Sequence, residues 1–247
     1  MRTKYRLNPK FATFKEDLLR VAASFDAASH SIHKARNELR VAAMHGTEVV
    51  IKSFKVPHIV NRIAYTFLRD GKAKKSFLNA MELQKRGVPT PEPIGYIEFF
   101  SGGLLAHSYF LSVHTPYDFT IREAFHHEID DHRAVITAFA AFTYALHQKG
   151  VWHVDYSPGN ILVVREAQGY RFSLVDINRM HFKPVGGYEG LANFSKFWAQ
   201  EDDLRLMART YAELAGLDAE KAERVALEYA RKLRQKTELK RRMRAKK

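Results

Sequence analysis

The chain has 247 residues, a formal net charge of +13 and no cysteine. It is long enough to bury a sizeable core, either as one domain or as two lobes that share a cleft. Its content of 46% hydrophobic and 27% charged residues excludes a disordered or fibrous protein, and the lack of cysteine excludes disulfides and thiolate chemistry. Because no apolar run approaches the roughly 18 residues of a membrane span, and the N-terminal residues lack the apolar core of a signal peptide, we expect a cytoplasmic protein.

The first half of the chain is predicted to be rich in strands. Thr13 and Glu16 form a capping-box pattern, which predicts a helix over residues 13–25. Apolar runs separated by turn residues then predict two hairpins, over 38–55 and 94–114, and the first hairpin carries Lys52 after its apolar run VVI. Between the hairpins, helical spacing of apolar residues predicts one main helix over 72–86.

The second half is predicted to be mainly helical. A stripe of apolar residues predicts a helix that starts near Asp130 and is ended by Gly150. The runs NILVV and YRFSLVDI predict a pair of short strands, and two further apolar stripes predict helices from residue 200 to the end. This order indicates an α+β fold.

Three polar residues around the predicted strand pair form a candidate active site. If the strands pair, Asn160 at the start of one and Asp176 at the end of the other lie at the same end of the hairpin. Asp155 lies on the loop just before them. Mg²⁺ prefers oxygen ligands, typically one or two carboxylates completed by phosphate oxygens and water, so Asn160 and Asp176 are the predicted metal ligands.

Asp155 then remains for the reacting hydroxyl. A carboxylate beside a metal-bound triphosphate can accept the proton of an attacking hydroxyl or orient that hydroxyl, and phosphoryl transfer depends mostly on such positioning. The phosphates also need an ammonium group, which Lys52 can supply. A lone D-x-x-x-x-N would be ordinary turn chemistry, but here three motifs occur together.

These motifs resemble those of protein-kinase-like enzymes. HVDYSPGN (153–160) resembles their catalytic loop, VDIN their metal-binding motif and VVIK the strand that carries their ATP lysine. Within that superfamily, RNELRV, VVIKSFK, GVPTPEPIGYIE and SYFLSVHTPYDFT resemble the bacterial Kdo/heptose lipopolysaccharide kinases of the Rio-like branch. The resemblance covers most of residues 5–200.

The resemblance implies a two-lobed protein-kinase-like fold, with a strand-rich N-lobe (1–112), a helical C-lobe (113–236) and a basic tail (237–247). It also implies ATP and Mg²⁺ as cofactors and phosphorylation of a Kdo sugar on a lipid A precursor at the cytoplasmic face of the inner membrane. In such a site His153 is structural. HHEIDDH (126–132) matches no compact metal-ligand spacing and is interpreted as a solvated face.

The sequence departs from the family pattern at three places. The segment SHSIHKARNE, which matches the phosphate-covering loop, has no glycine. Ser76 stands where the helix glutamate that pairs with the ATP lysine is expected, and Glu82 follows about two turns later. Asn178 replaces the glycine of the metal motif. These departures leave open which residue pairs with Lys52.

Two alternatives use the same residues. A Rio-like protein kinase is favoured by Ser157 and by the basic tail, whereas a pseudokinase adaptor would explain the missing glycines and glutamate. Against the adaptor, Lys52, Asp155 and Asp176 are all present.

The positive charge is concentrated at the C-terminal end. Residues 231–247 hold ten Lys or Arg and one Glu, a net charge of +9, which leaves +4 for the other 230 residues. We expect the last ten residues to be exposed or frayed, and the tail to contact anionic membrane headgroups rather than a specific nucleic acid.

Overall fold

A computed structural model of the chain describes residues 2–28, 30–34, 37–54, 65–66 and 69–245. The chain divides into two compact units. The N-terminal unit consists of Met1–Pro116 with Asp176–Asn178, and the C-terminal unit consists of Tyr117–Val175 with Arg179–Lys247. The metal motif VDIN is therefore split, because Asp176 and the two residues after it belong to the N-terminal unit. The predicted lobe and tail boundaries, after residues 112 and 236, stay predictions.

The described strands of the N-terminal unit form one antiparallel sheet in the order β1-β5-β6-β4-β3-β2. The strands are β1 (Arg2–Leu7), β2 (His30–Lys34), β3 (Asn37–Met44), β4 (Thr47–Phe54), β5 (Pro93–Ser101) and β6 (Leu104–Val113). Both predicted hairpins are confirmed, as β3–β4 and β5–β6. In the first turn, His45 and Gly46 have φ angles of 49° and 71°, the left-handed pair whose twist matches that of the flanking strands.

The predicted helix over 13–25 is wrong in its start and its continuity. The chain forms a 3₁₀ helix (Pro9–Phe14), then α1 (Lys15–Leu19) and α2 (Val21–Ala27). The side chain of Asn8 accepts from the Lys10 amide ahead of these turns, so the Asn-Pro pair, rather than a capping box at Thr13, starts the segment.

Alternation along β4 places Lys52 opposite the face that covers the core. Ile51 is fully buried in a cluster with Leu18 and Val21 of the N-terminal helices. Lys52 points to the other face, where it shares a row across the sheet with Phe110 and Tyr96. The main helix α3 (Lys72–Lys85), predicted over 72–86 and confirmed, packs on that face, with Phe77 and Tyr96 ring centroids 5.6 Å apart.

The C-terminal unit is mainly helical. Its helices are α4 (Ile121–Phe125), α5 (His132–Gln148), a 3₁₀ helix (Gly187–Phe197), α6 (Glu201–Ala215) and α7 (Ala219–Ala245). Its strands are β7 (Phe119–Thr120), β8 (Val151–His153), β9 (Ile161–Glu166), β10 (Gly169–Leu174) and β11 (Met180–Phe182). The predicted strand pair is β9–β10, with Ile161 opposite Leu174. An aromatic group that contains Phe139, Tyr156 and Phe197 packs beneath the loop between β8 and β9.

The stretch HHEIDDH is more than the solvated face that was predicted. His127 Nε2 lies 2.9 Å from the carboxylate of Asp203, which is buried, and Asp131 accepts from Arg165 and from the Tyr170 hydroxyl. Distant partners that no local pattern reveals therefore anchor this stretch. Among the described residues, no group of three or more His, Asp or Glu could bind a metal ion.

The basic end of the chain is helical. Helix α7 continues to Ala245, and every residue from Arg234 to Ala245 is exposed, which confirms the predicted exposure for the described part of the tail. Residues 246–247 lie outside the described part. Within that part, no helix is both long and apolar enough to cross a bilayer.

Candidate active site

The half of the candidate site that contains Lys52 and Asp176 lies in the N-terminal unit. Lys52 Nζ donates to Asp176 Oδ1 at 2.5 Å, and the lysine side chain is only 12% exposed. These residues are 124 positions apart in the chain. The partner of Lys52, which the sequence left open, is therefore Asp176, the carboxylate of the metal motif.

Two amides hold the metal motif in place. Asn178 Nδ2 donates to Asp176 Oδ1 at 2.7 Å, and Asn79 Nδ2, on α3, donates to the carbonyl of Ile177 at 2.6 Å. Asp176 has a φ of 53°, a conformation that non-glycine residues adopt mainly where the surroundings enforce it. Asn178, which stands in place of the family's glycine, thus fixes the carboxylate. Asn79 was not predicted from the sequence, although it follows Ser76 by about one turn.

Helix α3 does not supply the expected carboxylate. Ser76 is buried, and its hydroxyl has no hydrogen-bond partner among the residues that the structure describes. Glu82 is paired with Arg86 at 2.7 Å, one turn along the same helix. Of the glycine-free segment 29–38, positions 29, 35 and 36 lie outside the described residues, and the rest belongs to β2 and β3.

The second half of the candidate site is the loop of residues 154–160 in the C-terminal unit. The amide nitrogen Nδ2 of Asn160 donates to the backbone carbonyl of Asp155 at 2.8 Å, and Ser157 N donates to the same carbonyl at 2.8 Å. Asn160 N in turn donates to Ser157 O at 2.9 Å. The loop is thus closed on itself, and the Asn160 side chain keeps its oxygen for another partner.

The predicted placement of Asn160 at the open end of the strand pair is confirmed. Val175 N donates to Asn160 O at 3.0 Å, so Asn160 lies opposite the residue that precedes Asp176. His153 is fully buried and its Nε2 lies 3.2 Å from the carbonyl of Val175. This burial supports the structural role predicted for His153.

Buried neutral groups support the loop from below. Burial raises the pKa of the Tyr156 hydroxyl well above its usual range, and this hydroxyl lies 2.8 Å from that of Thr143. Burial also lowers the pKa of His147 to about 4, so His147 is neutral near pH 7. Its Nε2 contacts Asn193 at 2.9 Å, and Asn193 donates to the backbone of His153 at 3.2 Å.

Asp155 has a partner that was not predicted from the sequence. Arg179 Nη1 donates to both carboxylate oxygens of Asp155, at 3.0 and 3.2 Å. Backbone pairing fixes this neighbour, because Val154 N donates to Arg179 O at 3.0 Å. The position of Arg179 directly after VDIN was the signal in the sequence that could have identified it. The pairing of β11 with β8, however, cannot be deduced from a single sequence.

Comparison with known proteins now identifies the family. A model of the lipopolysaccharide kinase (Kdo/WaaP) family matches residues 54–229. The chain belongs to this family. Members of the family are kinases, so the protein is a phosphotransferase of lipopolysaccharide biosynthesis, and membership implies the use of ATP. No curated protein matches the sequence at a significant level.

Solved structures show the same fold. A structure described as "WaaP in complex with acyl carrier protein" is 17% identical, with a TM-score of 0.62 over 96% of this chain and 98% of that chain. A crystal structure of WbdD is 16% identical, with a TM-score of 0.50 over 82% of this chain and 50% of WbdD, so the matched region spans half of that protein. The predicted α+β, two-lobed protein-kinase-like fold is therefore confirmed.

Proposed function

We propose that the protein is an ATP-dependent kinase that phosphorylates a hydroxyl of a Kdo sugar on a lipid A precursor. The observation that carries the proposal is the contact of Lys52 with Asp176. This contact places the Lys52 ammonium 2.5 Å from the Asp176 carboxylate, although the two residues are far apart in the chain. Phosphoryl transfer uses a lysine on the phosphates and a carboxylate on the metal ion. Membership in the Kdo/WaaP family supports the class of acceptor.

Each polar residue has a role in this proposal. Lys52 holds the phosphates of ATP, and Asp155 accepts the proton of the acceptor hydroxyl. The oxygen of that hydroxyl bonds to the γ-phosphorus while the bond from the phosphorus to the leaving ADP oxygen breaks. Asp176 and Asn160 offer the carboxylate and amide oxygens that Mg²⁺ prefers, so the donor set fits this ion. Bound Mg²⁺ would neutralise charge on the phosphates.

The basic end of α7 suits a membrane-bound substrate. Residues 231–245 carry eight Lys or Arg and one Glu, and the exposed Leu239 and Met243 lie one turn apart between them. A basic helix with exposed apolar side chains binds anionic interfaces, at about 1 kcal/mol for each Lys or Arg near the surface. We infer that this segment holds the enzyme on the cytoplasmic face of the inner membrane, where lipid A-Kdo is presented.

Mass spectrometry after incubation with ATP, Mg²⁺ and lipid A-Kdo tests the proposal directly. One added phosphate on the glycolipid is expected, and its rate of addition should fall roughly 10²- to 10⁴-fold with Asp155→Ala. Asp202→Ala, a change of an exposed aspartate, serves as the matched control. Phosphate incorporated only into cell protein would favour the Rio-like alternative. Absence of Mg²⁺-dependent ATP turnover on every acceptor would favour the adaptor.

A further inference from the structure

The contact between Arg179 and Asp155 involves only one of the three guanidinium nitrogens. Only Nη1 donates to the carboxylate, and Nε and Nη2 make no hydrogen bond to any residue that the structure describes. The Nε and Nη2 edge of a guanidinium is a planar fork that matches a carboxylate or phosphate. Since 61% of the Arg179 side chain is exposed, that edge is accessible to a ligand.

A second guanidinium lies against the same loop. Arg122, on α4, places Nη2 at 2.7 Å from the point that a Cβ on Gly159 would take. Its side chain is exposed and forms no ion pair within the described ranges. Residues 154–160 contain one acidic side chain, Asp155, and no basic one. Two guanidinium groups against one carboxylate leave an excess positive charge beside the loop, which favours an anionic ligand.

The pair adds little to the stability of the fold. Both side chains are more than a third exposed, and exposed ion pairs of this kind contribute little. A well-formed bifurcated contact to the proposed base is therefore better explained by function. It also means that Arg179 variants should fold, so their effects on activity can be interpreted.

We propose that Arg179 determines specificity by binding a carboxylate of the acceptor sugar beside the hydroxyl that reacts. This inference rests on the proposed function. Kdo is a sugar acid, so one guanidinium can hold the carboxylate of the sugar on its Nε and Nη2 edge and Asp155 on Nη1, which brings the acceptor and the base together. The same edge could instead bind a phosphate of ATP, and the experiment separates these two sources of negative charge.

The experiment compares lipid A-Kdo with the same glycolipid whose Kdo carboxylates are methyl esters. Arg179→Gln should lower kcat/KM for the acid about 100-fold, since it breaks a charged hydrogen-bonded pair. The ester lacks that carboxylate, so the wild type should phosphorylate it slowly and Arg179→Gln should change its kcat/KM little. The KM for ATP should stay constant, and Arg179→Lys should restore part of the discrimination. The matched control is Arg171→Gln, which removes another exposed arginine paired with a carboxylate in the same unit.

Two results would overturn the inference. An equal loss on acid and ester would mean that Arg179 only positions Asp155, and a rise confined to the KM for ATP would assign the fork to the nucleotide. If the wild type phosphorylates neither glycolipid, the proposed function fails separately. The inference is then decided by equilibrium binding of free Kdo and its methyl ester, which Arg179→Gln must equalise.

Discussion

The two halves of the candidate site differ in how firmly their charged groups are held. Lys52 and Asp176, in the N-terminal unit, are 12% and 33% exposed, and amides of Asn178 and Asn79 hold the motif that carries Asp176. Asp155 and Arg179, in the C-terminal unit, are 38% and 61% exposed. The half assigned to the phosphates is thus preorganised, whereas the half assigned to the acceptor keeps donors available. We infer that substrate specificity lies in the second half.

The sharpest test of this contrast is Asp155→Ala. If Asp155 is the base, turnover should fall by roughly 10²- to 10⁴-fold, because the acceptor hydroxyl loses the group that takes its proton. The affinity for ATP should stay the same, since Lys52 and Asp176 remain. Steady-state kinetics and nucleotide titration measure the two effects. Unchanged turnover would remove Asp155 from the mechanism.

The converse change is Lys52→Ala. It should weaken ATP binding roughly 10- to 100-fold, the usual worth of a hydrogen bond to a charged group, and leave the KM for the acceptor unchanged. Lys74→Ala is the control, because Lys74 forms an exposed pair with Asp70 in the same unit. An acceptor KM that rises in parallel would contradict the division into two halves.

A third test concerns the buried support of the acceptor half. The pKa of His147 is lowered to about 4 in the folded protein, whereas its ordinary value is 6.5. As the pH falls below about 6.5, His147 becomes protonated in the unfolded chain but stays neutral in the folded protein until about pH 4. The free energy of unfolding should therefore drop by about 3 kcal/mol by pH 4. Urea unfolding between pH 7.5 and 4 measures this slope.

His147→Gln should flatten that slope, because its amide can contact Asn193 and Tyr211 without titrating in this range. The exposed His181→Gln variant should keep it. If both variants retain the full pH dependence, another group is responsible for it.

The smallest effect on the chemistry is expected from deletion of residues 237–247. Removal of these basic residues should reduce salt-sensitive sedimentation with anionic vesicles and slow turnover on membrane-embedded lipid A-Kdo. Turnover on detergent-dispersed acceptor should be unchanged. A variant with Leu239→Ser and Met243→Ser separates the apolar from the ionic contribution. Full vesicle binding by the truncated protein would leave the segment as a solvated end.

Local patterns were sufficient for several elements and for the composition of the site. The turn at His45-Gly46, the helix over 72–85 and the strand pair after Asn160 follow from residue spacing, because their contacts are between near neighbours. The same spacing predicted that Asn160 lies at the end of its hairpin. Strand β1 was missed, because its partner β5 lies more than 80 residues away.

The residue types establish which chemical groups are present and in what order: an ammonium, a carboxylate, an amide and a second carboxylate. The partners of these groups are set by tertiary packing. Lys52 meets Asp176, Asp155 meets Arg179 and Ile177 meets Asn79 through the packing of distant strands and helices. Such groups come together because the apolar faces of distant elements pack against each other. Residue spacing along the chain does not show which faces will pack together.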